Sequence, residues 1–316
     1  MLDDLFPPEA QKAGRGSRSN ILVGTCSWTE PTLIECGRFY PPGFGTAEKR
    51  LRYYAGQFPT VEVDSSYFAM PSAMNAALWV DRTPPGFRFT IKAFRLFTGH
   101  QTPAEAFPKD LRAALPPLAG RARNHYYRDL PAELRHELWR RYREAIAPLQ
   151  HAGKLDAVLF QFAPWVACSG PSKAHVEECV ERMSGIHAAV EFRNQSWAAE
   201  GRAADTLAWE RELGVTHVVV DEPQGVGNFM PPVWDVASDQ LAIVRLHGRN
   251  LETWDAKGLG SAADRFDYEY SMAELAELAA RIEALSRRVL RVQAVLNVCT
   301  EDKGIVAARR LAELLG

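Results

Sequence analysis

Eight short apolar runs, each closing on polar or charged residues, constrain this chain more than any other feature. They are "ILVGTCSW" (21–28), "TVEVDSSY" (60–67), "RFTIKAF" (88–94), "LDAVLFQFAP" (155–164), "HAAVEFR" (187–193), "HVVVDEP" (217–223), "AIVRLHGR" (242–249) and "QAVLNVC" (293–299). Several are apolar at every position, as strands buried on both faces must be. Between most of them lie segments with apolar residues at three- and four-residue spacing, such as "AEKRLRYYAGQF", "SKAHVEECVERMSG" and "SMAELAELAARIEALSRRV". That spacing predicts amphipathic helices. Gly185 and Gly214 stand where C-caps are expected.

Strands alternating with helices predict an α/β fold, a single (β/α)8 TIM-like barrel, and 316 residues suffice for one. The connection from the sixth to the seventh strand, "QGVGNFMPPVWDVASDQL", is rich in Gly and Pro and reads as a loop. The stretch 95–150 exceeds a single loop and helix, and is expected to be a helical insertion after the third strand, at the C-terminal mouth. Residues 1–19 read as a flexible tail, leaving 20–316 as the barrel.

In a strand, residues i and i+2 share a face. Glu191 and Arg193 therefore point together, as do Glu62, Asp64 and Ser66, and Arg245, His247 and Arg249. Lys92, Gln161, Asp221 and Asn297 stand one per strand near other strand ends. Every strand thus begins apolar and ends polar. A charge buried unpaired against helices costs several kcal/mol, so these groups are expected to line the barrel mouth, where function resides in this fold.

The residues "GTCSW", "TVEVDSSYFAMPS", "RFTIKAFRLFTGH", "VLFQFAP", "VEFRNQSW", "AIVRLHGRN" and "LNVCTEDKGIVAARRL" resemble, in order, the domain-of-unknown-function 72 (DUF72, YecE-like) family, covering nearly all of 20–316. The resemblance implies a TIM barrel of unestablished activity. The family's polar motif positions fall on Glu62, Lys92, His100, Gln161, Glu191, Arg193, Ser196, Trp197, Asp221, Arg245, His247, Gly248 and Asn297. Asp64 stands where the family usually has Asn, and Asn297, Val298 and Cys299 where it has Asn-Asn-His.

The first functional expectation is an enzyme of hydrolase or lyase type, working by acid–base chemistry on a phosphate- or sugar-bearing substrate. Glu191, Asp221 and His247 are its expected catalytic groups. Lys92, Arg193, Arg245 and Arg249 would hold an anion; Gln161, Asn297, Glu62 and Asp64 would orient the ligand. Trp28 and Trp197 would stack on a sugar or base, or pack the rim.

The alternatives are a repair-type nuclease, metal-assisted or not, and a non-catalytic small-ligand sensor. Glu62, Asp64, Glu191, Asp221 and His247 carry the right atoms for a divalent metal, but HxH and HExxH are absent. No metal ligand is therefore assigned, and the cofactor stays unknown. Nucleic acid would draw on Arg121, Arg123, His125, Tyr126, Tyr127 and Arg128; the formal net charge of −2 disfavours it. The expected partner is a small anionic or sugar-containing ligand. No run approaches a membrane span, and five scattered cysteines without CxxC read as reduced thiols of a cytoplasmic protein.

Overall fold

The computed structural model describes residues 20–225, 229–254 and 266–316; the tail at 1–19 lies outside them. Eight parallel strands form one closed barrel in chain order. They are β1 (Ile21–Thr25), β2 (Thr60–Val63), β3 (Arg88–Lys92), β4 (Leu155–Gln161), β5 (Ala188–Glu191), β6 (Thr216–Asp221), β7 (Leu241–Leu246) and β8 (Arg291–Leu296). Pairing of Ile21–Thr25 with Val292–Leu296 closes the ring. Gly24 is required where β1 meets β2: a Cβ there would lie 2.2 Å from the Thr60 carbonyl oxygen.

Among the described residues, seven helices of nine or more residues clothe the barrel: α1 (Ala47–Gln57), α2 (Ala73–Asp81), α3 (Ala132–His151), α4 (Gly170–Arg182), α5 (Ala203–Glu212), α6 (Met272–Ser286) and α7 (Lys303–Leu315). Their starts follow local chemistry. Thr46, Ser72 and Ser169 cap α1, α2 and α4 through their hydroxyls, and Ser271 with Glu274 forms a full capping box on α6. The described residues between β6 and β7 contain no helix.

The stretch 95–150 differs from the helical insertion expected of it. Its long helix, α3, is the ordinary crossover from β3 to β4. The residues before it hold only four 3-10 turns, of which Arg95–Thr98 and Tyr127–Asp129 are the first and last. Six prolines from Pro103 to Pro148, four of them before residue 120, break up regular structure in the first half.

Two apolar layers result. The larger lies between the barrel wall and the helices and includes Val61, Ile91, Phe160, Val190, Val219, Val244 and Leu296. The smaller fills the bore with Ala157, Leu159, Ala189, Val218, Val220, Leu241 and Ile243. These layers fix the phase of each strand, and so decide which polar strand-end residues enter the mouth.

Candidate functional site

Continuing the bore phase of each strand upward gives Gln161 after Leu159, Glu191 after Ala189 and Arg245 after Ile243. In β6 the bore residues are Val218 and Val220, so the next inward residue is Glu222. Asp221 belongs to the opposite face, with Val219. The alternation was hidden because "VVV" is apolar throughout and both following residues are acidic.

Arg245 is the centre of the mouth and is fully buried. Its Nε donates to Glu62 Oε2 at 2.8 Å and its Nη2 to Glu62 Oε1 at 2.7 Å, a two-pronged contact. Its Nη1 donates to Gln161 Oε1 at 3.0 Å and also to Glu191 Oε2. Arg193 adds a second guanidinium, 3.1 Å from Glu191 Oε1 and 2.8 Å from Glu222 Oε2. The Glu222 contact is an ion pair whose angle leaves that buried oxygen without an aligned hydrogen-bond donor, while Glu222 Oε1 accepts from the Met230 amide at 2.7 Å.

The two carboxylates on Arg193 are driven apart. Burial raises the pKa of both, but at Glu191 the charge of Arg245, the hydrogen bond to His247 and the charge of Arg193 outweigh it and hold the group well below the carboxylate range. At Glu222 burial prevails over Arg193, and the pKa lies above its ordinary value. Glu62 is likewise raised by burial despite Arg245 and Lys92.

His247 sits among these charges. Burial, then Arg193 and Arg245, push its pKa down to about 3, so the ring is neutral near pH 7. Asn297 Nδ2 lies 2.7 Å from its Nδ1, and its Nε2 is 3.4 Å from Glu191 Oε1. Gly248 follows with φ +82, and a Cβ there would lie 2.5 Å from that of Tyr268. This turn carries Arg249 away from the mouth.

Two further sides complete the mouth. Lys92 Nζ is 2.7 Å from Asp64 Oδ1 and lies over the Tyr67 ring, as does the Arg95 guanidinium. Arg95 Nε is buried without a hydrogen-bond partner. His100 packs edge-on to Tyr67 and to the exposed Trp165, and Phe68, also exposed, packs edge-on to Tyr67. Opposite, Trp254 lies under the Arg193 cation and edge-on to His247, beside Phe266. Asp64, Tyr67, Gln161 and Arg193 are half-buried and face the opening.

The structure therefore brings Glu62, Asp64, Lys92, Gln161, Glu191, Arg193, Arg245, His247 and Asn297 together, and relocates four expected residues. Asp221 and Arg249 pair with each other, at 2.7 Å, outside the bore; Asp221 also accepts from Tyr270, and Arg249 reaches Glu274. They clamp strand ends to α6 and line a surface cleft that also takes in Glu222 and Gln224. Trp197 is fully buried, stacked 3.8 Å from Phe192, with its ring nitrogen donating to the Val166 carbonyl. Trp28 is buried edge-on against Trp79. Neither tryptophan offers a face to a ligand.

Sequence reasoning missed Glu222, Tyr67, Arg95, Trp165 and Trp254. The bore phase of β6 identifies the first, but the other four rest on long-range packing. The basic and aromatic run at 121–128 does not form one surface, because His125 and Tyr127 turn inward. Tyr127 donates to Glu178 and accepts from Trp139. Among the described residues no three His, Cys, Asp or Glu side chains converge as a metal would require, and no helix is long and apolar enough to cross a membrane.

A family model described as "Protein of unknown function DUF72" matches residues 22–316. UPF0759 protein YunF of Bacillus subtilis (strain 168) is 29% identical over 297 residues, 93% of this chain and 94% of that one. A crystal structure of a DUF72 family protein from Thermotoga maritima MSB8 superposes with a TM-score of 0.71 at 27% identity, covering 93% of this chain and 98% of that one. One from Enterococcus faecalis V583 gives 0.74 at 24% identity, covering 93% and 95%, a likeness of fold.

Proposed function

Since this chain belongs to the DUF72 family, whose function is unknown, we propose from the site itself that it is an acid–base enzyme. Its chemistry is of hydrolase or lyase type, on a sugar-bearing substrate with an anionic group. The observation that carries this reading is the split of two carboxylates on one guanidinium: Glu191 held ionised, Glu222 raised toward neutrality. Carboxyls separated in this way divide acid and charge-holding roles.

In this reading Glu222 is the general acid, because it keeps an oxygen free of an aligned donor. Neutral His247 accepts from Asn297 at Nδ1 and so carries its proton on Nε2, a donor that holds Glu191 beside Arg193, itself paired with Glu222. Glu191 serves as a fixed anion that supports Arg193, Arg245 and His247, since both its oxygens are engaged. Arg245 is a structural cation, its guanidinium taken up by Glu62, Gln161 and Glu191. Lys92 and Arg95 hold the anionic group, and Tyr67, His100 and Trp165 supply aromatic surface for a sugar ring. The mouth carboxylates already offset most of the cations, which favours a sugar with one anionic arm over a polyanion.

Thermal-shift titration with free pentoses and hexoses and their monophosphates tests this. A sugar phosphate should stabilise the wild type, with the shift lost in Arg193→Ala and Arg95→Ala. Turnover should vanish in Glu222→Gln while binding persists. Equal response of all three proteins, or none to any member of the panel, would contradict the proposal. Binding with no turnover in the wild type would identify a ligand sensor using the same pocket.

A further inference from the structure

Two thiols meet at the seam where the barrel closes. Cys26 follows β1 and Cys299 follows β8, the neighbouring strand. Their sulfurs are 3.6 Å apart, although the residues are 273 positions apart in the chain. The Cys26 amide donates to the Leu296 carbonyl at 3.1 Å, so the two strand ends are pinned side by side. A small surface pocket opens onto the pair, lined among others by Glu30, Val298 and Ile305. Cys26 is buried, and Cys299 is the more exposed.

From this juxtaposition we infer that Cys26 and Cys299 form a reversible redox pair, oxidised to a disulfide by a hydroperoxide entering the adjoining pocket. A disulfide needs the sulfurs at about 2.0 Å, so closure asks for about 1.6 Å of movement. That is within reach of side-chain rotation at two strand ends already in register. The other three cysteines have no thiol partner: Cys36 donates to the Leu33 carbonyl and Cys179 to that of Phe97, while Cys168 lies at the far side, its amide bonded to Ser196.

The chemistry balances with one oxidant. The Cys299 thiolate attacks one oxygen of the O–O bond, which breaks; an alcohol, or water from hydrogen peroxide, departs and Cys299 becomes a sulfenic acid. Cys26 then loses its proton and attacks that sulfur, forming the S–S bond and releasing water. Two thiols and one hydroperoxide give one disulfide, one alcohol and one water; the sulfurs lose two electrons and the O–O bond gains them. The division of labour follows exposure, and Cys26 fits the resolving role. The bond to Cys299, then burial and the neighbouring carboxylates Asp64 and Glu62, hold its thiol well above the usual range.

The pair also touches the mouth. Cys299 Sγ lies 3.9 Å from both the backbone and side-chain oxygens of Asn297, which contacts His247. Oxidation would therefore act on the residue that orients the ring.

The test is a native titration with hydrogen peroxide, followed by denaturation, alkylation and non-reducing peptide mapping. The wild type should pass from five free thiols to three, with a Cys26–Cys299 peptide that dithiothreitol returns to five. Cys26→Ser should stop at a dimedone-reactive sulfenic acid on Cys299, and Cys299→Ser should consume no peroxide at Cys26 over the same interval. Circular dichroism on both variants confirms folding. Cross-links among other cysteines, a sulfinic acid on Cys299 with Cys26 still free, or no thiol loss would each overturn the inference.

Discussion

Replacing Arg245 by Met tests whether the mouth rests on this buried cation. The side chain is fully buried and grips Glu62 with two hydrogen bonds; no other cation forms a salt bridge to Glu62 among the described residues. Glu191 would keep Arg193 and His247, but Glu62 would be left as a buried unpaired anion. Breaking such a pair costs about 3–5 kcal/mol. The escape route sets a ceiling: Glu62 can protonate in the native state. At pH 7, with an ordinary pKa of about 4.3, that costs about 3.7 kcal/mol. Because the folded-state pKa of Glu62 would lie above its unfolded value, the variant gains relative stability as pH falls. The predicted loss is about 3–4 kcal/mol at pH 7 and about 1–2 kcal/mol at pH 5, read by urea denaturation of both proteins. A loss below about 1 kcal/mol at pH 7, or one that grows toward pH 5, would refute the reasoning.

Other expectations follow from the same geometry. His100 and His247 are each held near a pKa of about 3 by burial and neighbouring cations. Their folded pKa values lie below the unfolded value, so protons favour the unfolded chain and their contribution to stability falls with pH below about 6.5. Together they contribute a slope of up to about 2.7 kcal/mol per pH unit between about pH 6 and 4, which His100→Gln should halve in urea titrations across that range. Gly24→Ala should destabilise by about 3 kcal/mol or more, since the Thr60 carbonyl cannot yield; a change under 1 kcal/mol would count against the close approach. Trp165→Ala should leave the thermal midpoint within about 2 °C and weaken sugar phosphate binding roughly 10-fold by calorimetry, because its ring is exposed.

The barrel was legible because strands buried on both faces write themselves as unbroken apolar runs, and every one of the eight runs holds a strand. The same uniformity concealed phase. In β5, two alanines precede Glu191 and the strand lacks a second acidic residue, so parity assigns the inward group. In β6 three valines precede Asp221 and Glu222, and only the packing of Val218 and Val220 into the bore selects Glu222. Arg249 was placed by parity too, but the left-handed turn at Gly248 breaks the count. The long stretch before β4 joined a turn-rich half to α3, and sequence gave no cap to separate them: α3 starts after Pro131 with no side-chain cap. Polar and aromatic composition at 121–128 likewise could not reveal that Tyr127 is fixed inward by Trp139 and Glu178.

In the proposed mechanism Arg193 stands between two carboxylates of different role. Glutamate carboxyl carbons labelled with 13C, assigned through Glu191→Gln and Glu222→Gln and titrated by NMR, measure that difference directly. Glu222 should protonate above the ordinary glutamate range, Glu191 should stay ionised well below it, and Glu191 should rise in the Arg245→Met variant. Both carboxyls titrating together near their ordinary value would contradict the division of roles.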